Sequence, residues 1–519
     1  MLAADSGSHL QVLIPLLLIS MATLQPLVAY WREDWCFYVA LGATGLASIL
    51  AWSLFWQVAA SDLGYLDYFL GHSWSGERLL SSGEPIGLVL RSDVLGCLLV
   101  LLICVLGALT TLFSLKYIPH QAHPEKRSHY YCLLLLLLAG MCGIALTGDC
   151  FNFYVFLEVA SISAYGLVGI SHMGESLEAT LKYMLIGAFS SILVLFGIVL
   201  LFSATGSLNM AFAAQQISRI MKAANTSSLY NLRYLVFASL GMFTVGLSIK
   251  SAFFPTHAWL ADAHPMAPSP VSALLSSLVV KTTGVFLLIR FLFSVFAIQS
   301  NQYGNLISPL FMTIAVITTI GGSIFAIAQS NLKRMLAYST VAQMGYILIG
   351  ISLVTPSGLT GSIIHIFNHA LIKALLFLCA GAIVYKTGIR HISQMEHLAY
   401  RMPLTMGCFT IGALAIVGIP PLNGFMSKWS LAVAAFESGM PLLVVILLIS
   451  GLLNAIYYFR VIAIAYFSVP DHGTERPACS EVPWQMSLPM VLLTIAVVYF
   501  GFKIGLLRTI ARQAVHVIW

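Results

Sequence analysis

Charge is what this 519-residue chain has least of. Only 8% of its residues are charged, 25 Lys and Arg against 19 Asp and Glu, where a soluble protein carries roughly 25%. That scarcity, with 59% hydrophobic residues and a mean hydropathy of +0.92, excludes a water-soluble enzyme and a disordered chain and leaves a polytopic membrane protein. Cofactor signatures are missing too: there is no G-x-G-x-x-G opening a helix after a strand, no Walker loop and no haem attachment motif. None of the nine cysteines forms a C-x-x-C pair, and Cys97, Cys104, Cys132, Cys142, Cys379 and Cys408 lie inside apolar runs, where a free thiol packs as a small hydrophobe. Zinc or an iron-sulfur cluster needs convergent thiolates at short spacing. No metal or cofactor is therefore expected, and any redox or ATP chemistry that drives this chain belongs to another. The net charge of +6 is small, and its basic residues are scattered at helix ends without interleaved aromatics, so a nucleic-acid partner is not indicated. Met1 to His9 contains no Lys or Arg and the apolar run that follows is long enough to span, so a cleavable signal is not expected and the first helix is kept.

What is present is apolar run after apolar run. At ~20 residues per span they give about fourteen helices, centred near Leu18, Ala47, Cys104, Leu137, Ala160, Leu195, Leu240, Leu278, Ile314, Ile347, Leu376, Ile416, Ile446 and Ile495. The fold expected is an all-α polytopic bundle surrounded by lipid. Its longest polar stretches, Ser61 to Asp93, Gly206 to Arg233 and Ser468 to Gln485, read as loops or short amphipathic pieces. One set of alternate connections holds Arg32, Lys116, Lys126, Arg127, Lys182, Lys333, Arg334, Lys386, Arg390 and Arg401. The other holds Arg78, Arg91, Arg219, Lys222 and Arg233, with Lys503, Arg508 and Arg512 in the tail. By the positive-inside rule the first set faces the cytoplasm, which puts both termini outside.

Ionisable residues inside apolar runs carry the functional signal, since each costs ~2.5–3.5 kcal/mol at a helix centre on insertion scales. Glu158 lies several residues from either end of its helix, with no basic residue on that helix to neutralise it. Lys250 stands just before Pro255, Lys281 about ten residues into its span, and Lys428 just after the Pro420-Pro421 break. A lysine near a span end can snorkel to the interface, and Glu158 can be a structural ion-pair partner. Three buried lysines and a buried glutamate together are hard to justify by packing. His365, His369 and Lys373, at i, i+4 and i+8, share one helix face. Two such histidines can ligate zinc, but no third ligand or supporting acid lies near in sequence. A proton-passing stripe, with imidazole titrating near neutrality, fits better.

Two proline-broken segments, Leu240 to Leu260 and Phe409 to Ala435, fall about five helices apart, each with a lysine beside the break. Such a pair forms a weak internal repeat of the kind that marks an ion site near the midplane of repeat-built transporters. Freed backbone groups at the breaks should line polar cavities.

The stretch from Lys250 to Lys281, KSAFFPTHAWLADAHPMAPSPVSALLSSLVVK, resembles the hallmark of the antiporter-like subunits of respiratory complex I, membrane-bound hydrogenases and Mrp-type sodium/proton antiporters. Asn331 to Gly345 and the His365 to Lys373 stripe resemble that family's second half, and the resemblance runs from about Leu95 to Phe467. Gly148 to Glu158 and Gly412 to Trp429 look most like the D-type branch of the Mrp antiporter proteins and its hydrogenase relatives. Thr256 and Ala261 depart from the family's usual leucine and proline, which touches loop geometry rather than the lysines.

The resemblance implies fourteen helices with two inverted five-helix repeats, each containing one broken helix. It divides the chain into N-terminal helices 1–3 (1–115), a first repeat (130–297), a second repeat (307–467) and a C-terminal helix and tail (486–519). It implies proton-transfer roles for Glu158 and Lys250 as a pair, Lys281 as the central lysine, His365, His369 and Lys373 as the link, and Lys428 as the outlet, where some relatives carry glutamate. It also implies other membrane subunits as partners, protons as the transported ion with sodium left open, and a prokaryotic inner membrane as the location. An ionised Glu158 close to Lys250 would hold it protonated, because unit charges 4 Å apart at an effective dielectric of ~20 interact by ~4 kcal/mol. Separating the pair lets the lysine pass its proton on. Three functions stay open: a subunit of a gradient-driven Mrp-type antiporter, a proton-pumping subunit of a redox complex whose clusters lie in partner chains, and a non-transporting scaffold, which the intact set of ionisable residues disfavours.

Overall fold

A computed structural model describes residues 8–70, 87–121, 126–171, 174–222, 227–468 and 480–519. Arg78 and Cys479 lie outside them. The first helices are α1 (Leu10–Trp31) and α2 (Trp35–Ala59), followed by strands β1 (Tyr65–Leu70) and β2 (Leu88–Asp93). Next come α3 (Val94–Gln121), α4 (Lys126–Leu146), α5 (Cys150–Val168), α6 (Gly174–Thr205), α7 (Met210–Lys222), α8 (Ser227–Lys250) and α9 (Ala258–Met266). The helical span α10 (Ser269–Ser300) leads into α11 (Tyr303–Ile327), α12 (Leu332–Ser352), α13 (Pro356–Thr387), α14 (Pro403–Val417) and α15 (Asn423–Glu437). The chain closes with α16 (Pro441–Phe467), α17 (Trp484–Phe502) and α18 (Ile504–Ile518).

Thirteen helices among the described residues are long and apolar enough to cross a membrane, and α14 with α15 makes a fourteenth, broken segment. Every centre expected from the apolar runs falls inside one of these helices. The chain is a multi-pass membrane protein. Burial sorts the spans: the most apolar window of α13 is wholly buried and those of α10 and α12 are 94% buried, against 39% for α6 and 33% for α16. Lys281 on α10 and His365, His369 and Lys373 on α13 are therefore shielded from lipid on all sides.

Both breaks occur where proline removes a backbone donor. α8 stops at Lys250 and α9 resumes at Ala258, while α14 stops at Val417, at Gly418 with φ +96°, and α15 resumes at Asn423. Span α10 departs from α-geometry in another way, since Leu275–Val279, Lys281–Phe286 and Arg290–Val295 are π-helical. At Gly284 the span runs against the end of α8 so closely that a Cβ would sit 2.4–2.8 Å from Ser251. Only glycine permits that approach.

Three expectations are corrected. Ser61 to Asp93 is not merely loop but contains an antiparallel strand pair, β1 with β2, a small addition at one end of the helical bundle. Arg91 reaches across it to Asp67 in a two-pronged ion pair at 2.6 and 2.7 Å. The Gly206 to Arg233 stretch contains the amphipathic α7 as anticipated, but α8 begins before its end, at Ser227. Lys333 is not a loop charge: it lies buried two residues into α12, its ammonium on the carbonyls of Ala267 and Pro265 at the end of α9. Loop contacts agree with the two-sided sorting of the connections. Arg127 meets Asp34, Lys182 and Arg334 both meet Asp262, and Asn331 bridges to His391 at one end of the bundle. Asp149 bridges to Asn209 at the other.

Candidate functional site

The buried polar groups converge where α10, α12, α13, α15 and α16 meet. Lys281 is 1% exposed and donates to the Ser276 carbonyl at 2.7 Å. That acceptor exists because the π-helical turn pushes a carbonyl out of regular i→i−4 pairing, which is why such bulges gather at functional sites. Ser276 Oγ lies 2.7 Å from Thr340 Oγ1, and Thr340 donates to the Leu336 carbonyl at 3.0 Å. Lys373 donates to the same carbonyl at 2.9 Å and to the Tyr458 hydroxyl at 3.3 Å, which in turn lies 2.9 Å from Ser339 Oγ. A chain of polar contacts thus joins Lys281 to Lys373 across three helices.

From Lys373 the stripe continues along α13. His369 is fully buried with neither ring nitrogen bonded to protein, and its ring centre lies 5.9 Å from that of His365. His365 hydrogen-bonds Ser427 on α15 at 2.9 Å and stacks on Tyr346 at 5.6 Å. Lys428 is half-buried, and its ammonium sits 4.8 Å above the same Tyr346 ring while donating to the carbonyls of Ile416 and Val417 at 2.7 and 3.0 Å. Those carbonyls end α14 and lack helical donors, and the negative end of a helix dipole favours a cation. Lys428 thus points inward at the break rather than snorkelling outward.

The Glu158–Lys250 pair is present but open. Lys250 donates to Ser161 at 2.7 Å, one turn along α5 from Glu158, and no carboxylate lies within 4 Å of its ammonium among the described residues. Glu158 is half-buried and its Oε1 has no hydrogen-bond partner. One rule covers the four lysines Lys250, Lys281, Lys373 and Lys428: each rests on carbonyl or hydroxyl oxygen, never on a carboxylate. A neutral acceptor binds the ammonium more strongly, yet the amine still has N–H to donate to it. Losing a proton therefore strands no partner.

Sequence reading missed several members. Ser276, Thr340, Ser339 and Tyr458 carry no charge and so gave no signal within their apolar runs. His264 on α9 is fully buried with both ring nitrogens unpartnered and stacks on Phe377 at 4.7 Å; its position within the recognised motif was the available clue. Arg290 was also missed. It forms a buried ion pair with Asp93, 197 residues away in sequence. The hydroxyl bridge is testable: if the row carries protons, Thr340→Val, which keeps the shape and removes the oxygen, slows their passage about fivefold, the equivalent of ~1 kcal/mol. Unchanged rates in proteoliposomes would remove Thr340 from the path.

Residues 147–454 match the family described as NADH:quinone oxidoreductase/Mrp antiporter, TM. Among curated proteins, the chain is 37% identical to the N subunit of the NADH-quinone oxidoreductase of Desulforudis audaxviator, over 83% of this chain and 85% of that one. It is 31% identical to the D subunit of the Na(+)/H(+) antiporter of Alkalihalophilus pseudofirmus, over 80% and 81%. Among solved structures, a chain of the membrane-bound sulfane sulfur reductase, an archaeal respiratory membrane complex, superposes with TM-score 0.87 at 29% identity, covering 98% of both. A chain of the Mrp complex from a Dietzia species superposes with TM-score 0.83 at 23% identity, covering 98% and 97%, a likeness of fold.

Proposed function

The chain belongs to the NADH:quinone oxidoreductase/Mrp antiporter transmembrane family, and on that premise we propose that it is a proton-translocating subunit of a multisubunit Mrp-type Na+/H+ antiporter. The observation that carries this reading is the row of polar groups through the buried centre of a membrane bundle, hydrogen-bonded from Lys281 through Ser276 and Thr340 to Lys373 and continued along one face of α13 by His369 and His365 toward Lys428. Glu158 and Lys250 form the control element beside it. When Glu158 approaches Lys250 the opposite charge favours the ammonium, and when the two part, burial favours release of the proton. The released proton passes to Lys281 and along the row to Lys428, which hands it to the far side. The two broken helices belong to two inverted five-helix repeats, 130–297 and 307–467, with 1–115 and 486–519 outside them. The partners are other membrane subunits, the location is a prokaryotic inner membrane with both termini outside, and sodium is exchanged by the complex.

A second reading has its own support. The 37% identity to a quinone oxidoreductase subunit and the likeness to a respiratory reductase favour a proton-pumping subunit of a redox complex. One preparation separates the two. The complex is purified in mild detergent through a tag on this subunit, its subunits and iron are measured, and it is reconstituted in proteoliposomes. The antiporter reading expects an iron-free set of membrane subunits and proton movement driven by an imposed sodium gradient alone. Co-purifying iron-sulfur subunits, with proton movement only when an electron donor is added, would replace it with the redox reading.

A further inference from the structure

A cavity of about 790 Å³ opens between the first turn of α13, the helix α15 and the C-terminal helix α18, and nothing in the proton path uses it. It lies at the end of the bundle opposite the loops rich in Lys and Arg. There α18 runs across the ends of α3, α10 and α13, the posture of an amphipathic helix lying in the membrane interface. Its inner face, including Ala511, Ala514, Val515 and Ile518, is buried. Arg508, Arg512 and His516, spaced i, i+4 and i+8, line the cavity. These arginines are among the cations that run against the charge bias of the loops, so topology does not account for them.

We infer that this cavity binds the phosphodiester headgroup of a membrane glycerophospholipid. Three sources of positive potential meet there: the two arginines, neither ion-paired among the described residues, and the N-terminus of the 32-residue helix α13, which brings Ser357 to the cavity wall. Helix N-termini and arginine forks both suit phosphate oxygens. Glu437 is the one acidic side chain among the lining residues, against the two arginines. Trp429 and Trp519 line the same space, matching the aromatic belt at the headgroup level, while Ile364 and Val433 offer apolar wall for the start of an acyl chain. Basic pockets between transmembrane helices hold lipid headgroups on the same physical grounds. The occupant braces α13 and α15 one residue from His365 and Lys428.

The test uses the whole complex in mild detergent, with bound lipid measured by mass spectrometry. Arg508→Gln/Arg512→Gln is expected to lose about one phospholipid per copy of this subunit relative to the unaltered complex, while Lys222→Ala, on α7 and outside the lining of this cavity, loses none. A photo-crosslinking residue at Val433 in the otherwise native chain makes the result independent of the variant's folding, and its adduct is expected to have the mass of a phospholipid. An unchanged lipid complement in a well-assembled double variant, or a Val433 adduct to a peptide of a partner subunit, would overturn the inference.

Discussion

Lys281→Ala, in a complex that assembles with its full set of subunits, is expected to translocate protons at least a hundredfold more slowly. A positioned acid-base group contributes about 10²–10⁴ in rate, and Lys281 stands at one end of the Ser276–Thr340–Lys373 connection. Lys281→Arg separates two explanations of such a loss. Arginine keeps the charge but does not give up its proton. If Lys281 acts by exchanging a proton, both variants fail; if it serves only as a fixed positive charge, arginine restores transport. The readout is the initial rate of pH change in proteoliposomes, normalised to intact complex. Full-rate transport by the alanine variant would exclude Lys281 as a station on the proton path.

Asp93→Ala is expected to destabilise the protein by about 3–5 kcal/mol, because it leaves the Arg290 guanidinium buried and unpaired. Asp93 is 1% exposed and Arg290 7% exposed, and Asp93 also accepts from the Gly96 amide at 2.7 Å at the start of α3. The pair ties a π-helical stretch of α10 to the junction of β2 and α3. In thermal or denaturant unfolding of detergent-solubilised complex, Asp93→Ala should fall well below the parent. The double variant Asp93→Leu/Arg290→Met should recover much of the loss, since removing both charges removes the stranded ion. Equal instability of single and double variants would show that the cap on Gly96, rather than the charge pair, carries the stability. Unlike the lysines, Arg290 is held by a carboxylate and has no neutral state to visit, so its role is to fix α10 in place.

How much of this could be read from the residues depends on which physical quantity marks them. Span positions were legible because apolar length alone sets them, and Pro255 and Pro420-Pro421 announced both breaks. Glu158, Lys250, Lys281, His365, His369, Lys373 and Lys428 stood out because an ionisable group in an apolar run is costly and so rarely accidental. The uncharged links were invisible for the converse reason. Thr340 and Tyr458 look like ordinary members of an apolar helix until a neighbouring lysine supplies the other end of the bond. The π-helical turns of α10 left no trace, because a helix buried on nearly all sides has no amphipathic stripe from which to read a changed pitch. Lys333 was mistaken for a loop charge because it lies only two residues inside α12, where sequence distance to the membrane surface and actual burial part company. The strand pair was not legible, because Tyr65 to Leu70 does not alternate polar and apolar residues and its partner, Leu88 to Asp93, lies well downstream in the chain. The match of Arg290 to Asp93 is a purely tertiary fact.

Resting each lysine on neutral oxygen has a consequence for direction. A carboxylate at one end of the row would act as a sink, holding the proton there and making one sense of travel downhill within the subunit. Carbonyls and hydroxyls carry no full charge, so none of them pins a proton to one lysine as a carboxylate would. On the proposed reading the row therefore holds no carboxylate sink to set direction, and the sense of flow rests on whatever coupling moves Glu158 toward or away from Lys250.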